Sequence, residues 1–236
     1  MGNNAHRAEL LREPAHSAHT GLAHRAREGV KRSPAAAGGD LMRLFVAIAP
    51  PSAVLDELDA LVAPLRAGPE DLRWTSRQAW HATLGFLGQV DEPTAITLLP
   101  GLERAAGHHH HIQLAFSGAG AFPSVSRANV LWSGLSGDCG ALASLAESVA
   151  AGASSAGTPP PDKGRRFQPH LTLARCRMPV DVTGLVRSLS GYQGQPWTAD
   201  RVHLVRSRLG GAGAPRYVSL ASWPLRTLGR DADPPA

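Results

Sequence analysis

One four-residue pattern, His-x-Thr-Leu, occurs twice, and each copy lies in an apolar run with the length of a β-strand. The copies begin at His81 and His170. A pattern with three fixed positions is not expected twice by chance in 236 residues. Because side chains alternate between the faces of a strand, each histidine shares a face with its threonine, Thr83 or Thr172. The chain should therefore contain two equivalent strands that each present a His/Thr pair.

The residues around each copy extend this prediction to the two faces of the strands. The face opposite the histidines is expected to pack into a core and to hold Leu84, Phe86, Leu171 and Leu173. The polar face continues with a small residue, Gly85 or Ala174, which leaves space for a small anionic ligand. A single His-x-Thr would more often be a buried pair that satisfies its own hydrogen bonds. Duplication favours the functional interpretation.

The rest of the chain alternates strand-like and helix-like segments from Met42 onward, which indicates an α+β fold. The predicted strands are 44–49, 72–75, 81–87, 112–117, 129–135, 170–175, 201–209 and 217–222. The predicted helices are 53–66, with Ser52 as N-cap, 91–106, 139–153 and 181–190.

Both ends of the chain differ from this folded unit. Residues 1–41 are rich in Ala, His, Arg and Gly with almost no β-branched or aromatic residues, so we expect a flexible extension. Residues 229–236 are expected to form a disordered tail, which leaves 42–228 as the single folded domain. Met42 is also a candidate for the start of the folded unit or of translation.

Composition narrows the class of protein. No apolar run reaches the length of a membrane span, and no signal peptide is visible, so we expect a cytoplasmic protein without a membrane partner. Only two cysteines occur, Cys139 and Cys176, and their spacing excludes a zinc knuckle. The net charge of +5 suits an anionic partner without identifying one.

With these motifs in view, the chain resembles the two-histidine (2H) phosphoesterases, and within them the RNA 2′,3′-cyclic phosphodiesterases once called 2′-5′ RNA ligases. The resemblance is carried by 42–48, 80–88, 120–123, 130–132, 167–175, 207–209 and Tyr217. It implies two pseudo-symmetric lobes, each an antiparallel sheet with helices packed outside, around a central cleft. The extension before Met42 and the histidine run 108–111 are outside the family pattern.

The resemblance also implies an activity: hydrolysis of a 2′,3′-cyclic phosphate at an RNA end to a 2′-phosphomonoester. Two imidazoles suit the proton transfers, because an unperturbed histidine titrates near neutral pH. By family analogy His81 protonates the ribose O3′ and His170 activates water, although the symmetric motifs themselves do not distinguish the roles. Thr83 and Thr172 would donate hydrogen bonds to the phosphate oxygens. We expect no metal or cofactor, an RNA or oligonucleotide substrate, and a monomer.

Other residues are weaker candidates for substrate binding. Strict alternation places Arg175 opposite Thr172, so it reaches the cleft only through a bulge or twist. Tyr217 and Phe122 are candidates for stacking a base, and for each a place in the core is an equal alternative. Arg165 and Arg166, on a loop before the second motif, are candidates for contact with the RNA backbone.

Three alternatives remain open from the sequence. The same site can serve another 2H reaction: hydrolysis or reversible ligation of 2′-5′ linkages, or hydrolysis of ADP-ribose cyclic phosphate. A protein of this fold can also be a non-catalytic nucleotide- or RNA-binding module, although both His/Thr pairs are intact. Metal binding by 108–111, or by His203 with the motif histidines, is not required by any spacing. A dinucleotide- or ATP-dependent enzyme is disfavoured, since no glycine-rich phosphate loop follows a strand.

Overall fold

The computed structural model describes residues 41–68, 70–158, 167–209 and 215–227. Its strands are β1 (Met42–Ile48), β2 (Leu72–Trp74), β3 (Ala82–Val90), β4 (Ile112–Phe122), β5 (Ala128–Gly137), β6 (His170–Val180), β7 (Trp197–Ala199), β8 (Arg201–Leu209) and β9 (Pro215–Pro224). Its α-helices are α1 (Ser52–Val62), α2 (Glu92–Gly107), α3 (Cys139–Ser155) and α4 (Thr183–Leu189). Three predicted features lie outside the described residues. They are the extension over 1–41 (except Leu41), the loop arginines Arg165 and Arg166, and the tail over 229–236.

All the named strands pair antiparallel, in the order β7-β4-β5-β6-β3-β1-β8-β9, with β2 added on β6. The sheet consists of two halves, because β6 and β3 share a single residue pair, Ala82 with Leu171. One half contains β7, β4, β5, β6 and β2, and the other contains β3, β1, β8 and β9. The predicted α+β fold with two antiparallel halves is confirmed.

One face of the sheet is covered by a continuous hydrophobic core that includes residues of the helices. Leucines at helical spacing face this core, since apolar residues three or four positions apart share a helix face. They include Leu98 and Leu102 of α2 and Leu142 and Leu145 of α3, all fully buried. No helix in the described ranges is long and apolar enough to cross a membrane.

Several element boundaries differ from the sequence prediction. Helix α1 begins at Ser52, so Pro51 and not Ser52 occupies the N-cap position, and no side chain caps this helix. Strands β4 and β6 both continue five residues beyond their predicted ends, and the short strand β7 was not predicted. The added residues are held in the sheet by pairing with neighbouring strands. The sequence pattern of one segment does not show this pairing.

Both motif strands contain a β-bulge directly after the threonine, and this changes which residues face the histidines. In β3 the partners of Ala47 and Val46 are Thr83 and Gly85, so Leu84 is the extra residue. Leu84 and Gly85 are both buried, and Phe86 turns to the opposite face with 51% of its surface exposed. The predictions that Phe86 packs into the core and that Gly85 continues the polar face are therefore wrong, because a bulge shifts the alternation by one residue.

The second motif has the same irregularity. On β5, Trp132 pairs with Thr172 and the residue before it, Leu131, pairs with Ala174, which leaves Leu173 as the extra residue. Leu173 and Ala174 are both fully buried, so Ala174 does not continue the polar face as predicted. Arg175 follows on the face of His170 and Thr172 and is exposed. The bulge that this placement requires is thus present.

Candidate active site

The two motif histidines lie on one face of the sheet, on either side of the pair that joins its halves. Since Ala82 and Leu171 are paired antiparallel and both are buried, their neighbours His81, Thr83, His170 and Thr172 point to the opposite face. The register sets each histidine across from the threonine of the other motif. The two histidines are then diagonal neighbours, for which the backbone separation is about 7–8 Å and the Cβ separation somewhat less. This spacing leaves room for a phosphate-sized group between their rings.

Both imidazole rings are oriented by the same contact. Nδ1 of His81 lies 2.8 Å from the carbonyl oxygen of Ala79, and Nδ1 of His170 lies 2.7 Å from that of Gln168. A carbonyl only accepts a hydrogen bond, so each Nδ1 carries the proton. In the neutral ring Nε2 is then the basic nitrogen and the atom available for proton transfer.

The threonine hydroxyls are available to a ligand. Neither Thr83 nor Thr172 makes a side-chain hydrogen bond within the described residues, and both are only partly buried. The alternative that each histidine bonds its own threonine is not what the structure shows, because the ring nitrogens use backbone carbonyls instead. Both His/Thr pairs thus retain free donors and acceptors on the same face.

Aromatic rings surround His81. The ring of Phe45 stacks on it at a centroid distance of 4.7 Å, and the ring of Tyr217 meets it edge-on at 5.0 Å. Phe45 also contacts Phe86, at 6.0 Å. Ala47, which is paired with Thr83, adds little bulk beside these rings. Phe45 and Phe86 were not predicted at this site, since each lies in an apolar run that is typical of a core strand.

A second aromatic pair surrounds His170. Phe122 contacts its ring edge-on at 5.1 Å, and Trp132 lies 6.1 Å from it. Trp132 is paired with Gly120 on β4, and a Cβ atom at that glycine would come within 2.2 Å of the indole ring. Gly120 therefore lets the indole lie close against β4, beside the histidine. Of these residues, Phe122 is the binding candidate that the sequence predicted.

We predict that Gly120→Ala disturbs this half of the site. A methyl group has no space beside the Trp132 ring, and overpacking of this kind costs about 1–3 kcal/mol of stability. Urea denaturation should show the loss, and activity should fall because Trp132 and His170 move. Gly140→Ala, on α3 with nothing within 4 Å of an added Cβ, is the matched control and should be neutral or stabilising. Unchanged stability in Gly120→Ala would contradict the packing described.

Electrostatics link the two halves through Arg175. Burial lowers the pKa of His81 to about 4, and the positive charges of Arg175 and His170 act in the same direction. Burial also lowers the pKa of His170, again with a contribution from Arg175. The guanidinium of Arg175 thus acts on both imidazoles and also on Tyr217. Burial raises the pKa of Tyr217, and the positive charges of Arg175 and Arg43 oppose this rise. In the absence of an anion, both histidines favour the neutral form at pH 7.

Arg43 is a further site residue that the sequence did not single out. It precedes Phe45 by two positions on β1, so both point to the histidine face, and Arg43 is exposed there. Its charge acts on Tyr217. The site therefore combines two neutral imidazoles, two free hydroxyls and two arginines, which is a set of groups suited to a small anion.

The other histidines are placed apart from the motif pair. His203 lies on the same face but two strands from Thr83, with Ala47 between them in register, and its Nδ1 lies 3.2 Å from the hydroxyl of Ser219. In the run 108–111, His109 contacts the Ser148 hydroxyl at 2.9 Å through Nε2. In the described part of the chain, no three His, Cys, Asp or Glu side chains are arranged to hold a metal ion.

The sheet of two halves and the His/Thr pair from each define a two-histidine phosphoesterase. The sequence matches the family described as LigT-like phosphoesterase over residues 48–132 and 137–215, and the chain belongs to this family.

Three relatives show the extent of the similarity. The "RNA 2′,3′-cyclic phosphodiesterase" of Aquifex aeolicus is 33% identical over 105 residues, which are 44% of this chain and 55% of that protein. This chain thus aligns with little more than half of that relative's length. The crystal structure of E. coli LigT complexed with 3′-AMP superposes on this chain with a TM-score of 0.64. The match has 25% sequence identity and covers 78% of this chain and 98% of LigT. TT0787 of Thermus thermophilus is 28% identical, with a TM-score of 0.62, over 79% and 100% of the two chains.

Proposed function

We propose that this protein hydrolyses RNA 2′,3′-cyclic phosphate ends to 2′-phosphomonoesters by acid–base catalysis between His81 and His170. The observation that carries the proposal is the placement of both imidazoles, each with its Nδ1 bonded to a carbonyl, on one face around a single strand pair. Nε2 of each ring is then the atom that faces a bound phosphate. The name of the Aquifex aeolicus relative supports the substrate class.

The reaction needs two proton transfers. The neutral imidazole of His170 takes a proton from water as the water oxygen attacks phosphorus, and the bond from phosphorus to the ribose O3′ breaks. The imidazolium of His81 gives its proton to O3′, which leaves a 3′-hydroxyl and a 2′-phosphate. Thr83 and Thr172 donate hydrogen bonds to the non-bridging oxygens, where negative charge grows, and Arg175 adds a positive charge beside them. No metal or cofactor is assigned a step.

Binding of the anionic substrate favours the protonated histidine that the reaction needs. Burial and Arg175 hold both pKa values below the ordinary 6.5 in the ligand-free protein. A bound phosphate anion favours the charged form of a neighbouring imidazole and so raises its pKa. The protonation state needed for catalysis is thus favoured once the anion is bound.

We predict bell-shaped pH profiles whose optima differ between the two kinetic constants. The profile of kcat/KM reports the ligand-free protein, where both histidine pKa values are lowered, so its optimum should lie below pH 6.5. The profile of kcat reports the complex, where the anion raises them, so its optimum should lie at higher pH. Steady-state kinetics between about pH 4 and 9 measure both. A flat profile across this range, or the reverse order of the optima, would contradict paired acid–base roles.

The direct test is incubation of chelator-treated protein with an RNA that ends in a 2′,3′-cyclic phosphate, with the products resolved by phosphorus NMR. The expected product is the 2′-phosphomonoester. Formation of the 3′-phosphomonoester would reverse the assignment of the leaving oxygen, and no hydrolysis would leave a binding role. The same assay with a 2′-5′-linked dinucleotide and with ADP-ribose cyclic phosphate tests the alternative reactions of this site. Action in the cytoplasm and as a monomer stays a prediction from the sequence.

A further inference from the structure

Two arginines lie side by side at the edge of the active site, and the charge of only one of them, Arg175, acts on the histidines. Arg73 of β2 is paired directly with Arg175 of β6. The neighbours of Arg73, Leu72 and Trp74, pack against the hydrophobic core, so Arg73 points to the other face, where Arg175 and the histidines lie. Both arginines are exposed. We call Arg73 and Arg175 the arginine pair.

This arrangement is unfavourable for the protein alone. Like charges directly opposite each other on antiparallel strands destabilise a sheet. Among the described residues neither arginine has a carboxylate within ion-pair distance or a side-chain hydrogen bond. The nearest acid in sequence is Asp71, just before β2. Neither charge is therefore neutralised by an ion pair within the described residues, and an anion bound between the two arginines would relieve their repulsion.

Within the arginine pair, Arg175 belongs to the phosphate position between the histidines, and Arg73 lies next to that position. The charge of Arg175 acts on both histidines and that of Arg73 on neither, and Arg73 is one strand spacing, about 5 Å, from Arg175. Successive phosphates of a nucleic-acid strand are separated by a comparable step. Consider an RNA whose cyclic phosphate lies between the histidines and whose chain runs along β6 toward Arg175. The next phosphate of that RNA would then lie near Arg73.

We propose that the arginine pair is a second phosphate subsite, which binds the phosphodiester on the 5′ side of the terminal nucleotide. The inference rests on the proposed function and deepens it, because it makes the preferred substrate a polynucleotide end and not a free cyclic mononucleotide. Arg73 is a specificity-determining residue in this scheme. Arg175 contacts both phosphates, and Arg73 contacts only the second.

The test compares a tetranucleotide that ends in a 2′,3′-cyclic phosphate with the corresponding cyclic mononucleotide, in the full-length protein and in Arg73→Gln. We expect the ratio of the two kcat/KM values, oligonucleotide over mononucleotide, to fall about five- to tenfold in Arg73→Gln. Arg187→Gln, an exposed arginine on α4 with the same change of charge, should leave this ratio unchanged. Equal losses on both substrates, or no loss on either, would overturn the proposal.

A modified substrate locates the contact. A tetranucleotide whose last internucleotide phosphate is replaced by an uncharged methylphosphonate should lose the same factor with the natural protein. Arg73→Gln should then cause no further loss, since the two changes remove one interaction. Additive losses would place the Arg73 contact elsewhere and overturn the assignment.

Binding separates this subsite from the proposed reaction. Fluorescence anisotropy with a labelled tetranucleotide that ends in a 2′-phosphate needs no turnover. The slope of log Kd against log salt should become shallower by about 0.7 in Arg73→Gln, the change expected for one phosphate contact to a single strand. An unchanged slope would overturn the subsite even if hydrolysis is observed. A changed slope without hydrolysis by the natural protein would support the subsite and contradict the proposed function.

Discussion

His81→Ala and His170→Ala are each expected to lower kcat by about a thousandfold on an RNA cyclic phosphate, because each removes one of the two proton transfers. The free Nε2 atoms have no substitute on this face among the described residues: His203 is separated from Thr83 by the whole of β1 and bonds Ser219. The double variant should be little worse than either single variant, since residues that act as a unit are not additive. Single-turnover kinetics measure the effect on the chemical step.

Folding must be checked separately for this prediction, because His81 packs between Phe45 and Tyr217. His81→Gln retains a polar side chain of similar length and should lose activity as completely as His81→Ala. His203→Ala is the matched control, and its activity should stay within a few-fold of the natural protein. Near-normal turnover in a folded His81 or His170 variant would remove that histidine from the mechanism.

The same variants can assign the two roles. If the bridging 3′ oxygen is replaced by sulfur, the leaving group departs as a thiolate and no longer needs a proton. The variant that lacks the general acid should then regain most of its activity, and the variant that lacks the general base should not. We expect rescue of His81→Ala. Rescue of His170→Ala would exchange the roles.

Thr83→Val and Thr172→Val are expected to lower kcat by about a hundredfold each, the effect typical of losing one donor to a developing negative charge. Valine has nearly the shape of threonine and keeps the β-branch that suits a strand, so stability should change little. The hydroxyls make no other hydrogen bond within the described residues, so their removal leaves no protein group unpaired. KM should change less than kcat, because the charge grows only in the transition state.

The serine variants at both positions are the control for this prediction. Thr83→Ser and Thr172→Ser keep the hydroxyl and should retain activity within a few-fold. A valine variant with normal kcat would show that its hydroxyl does not contact the reacting phosphate. A valine variant with raised KM and unchanged kcat would indicate that the hydroxyl binds substrate and transition state equally.

The sequence by itself determined the features that depend on local pattern. Strand alternation placed each motif histidine with its threonine, and duplication of the motif indicated two equivalent strands. The helices predicted over 91–106 and 139–153 are likewise present as α2 and α3. These properties follow from the repeat of about 3.6 residues in a helix and of two in a strand, and both repeats can be read from the sequence of a single segment.

Tertiary structure decided which further residues reach the site. The bulges at Leu84 and Leu173 occur in the pairing of β3 with β1 and of β6 with β5, and they bring Phe86 and Arg175 to the histidine face. Phe45 and Arg73 join the site because β1 and β2 pair beside the motif strands. Strand pairing between segments far apart in sequence is set by the packing of the whole sheet, so no single segment specifies the partner or the register that creates these contacts.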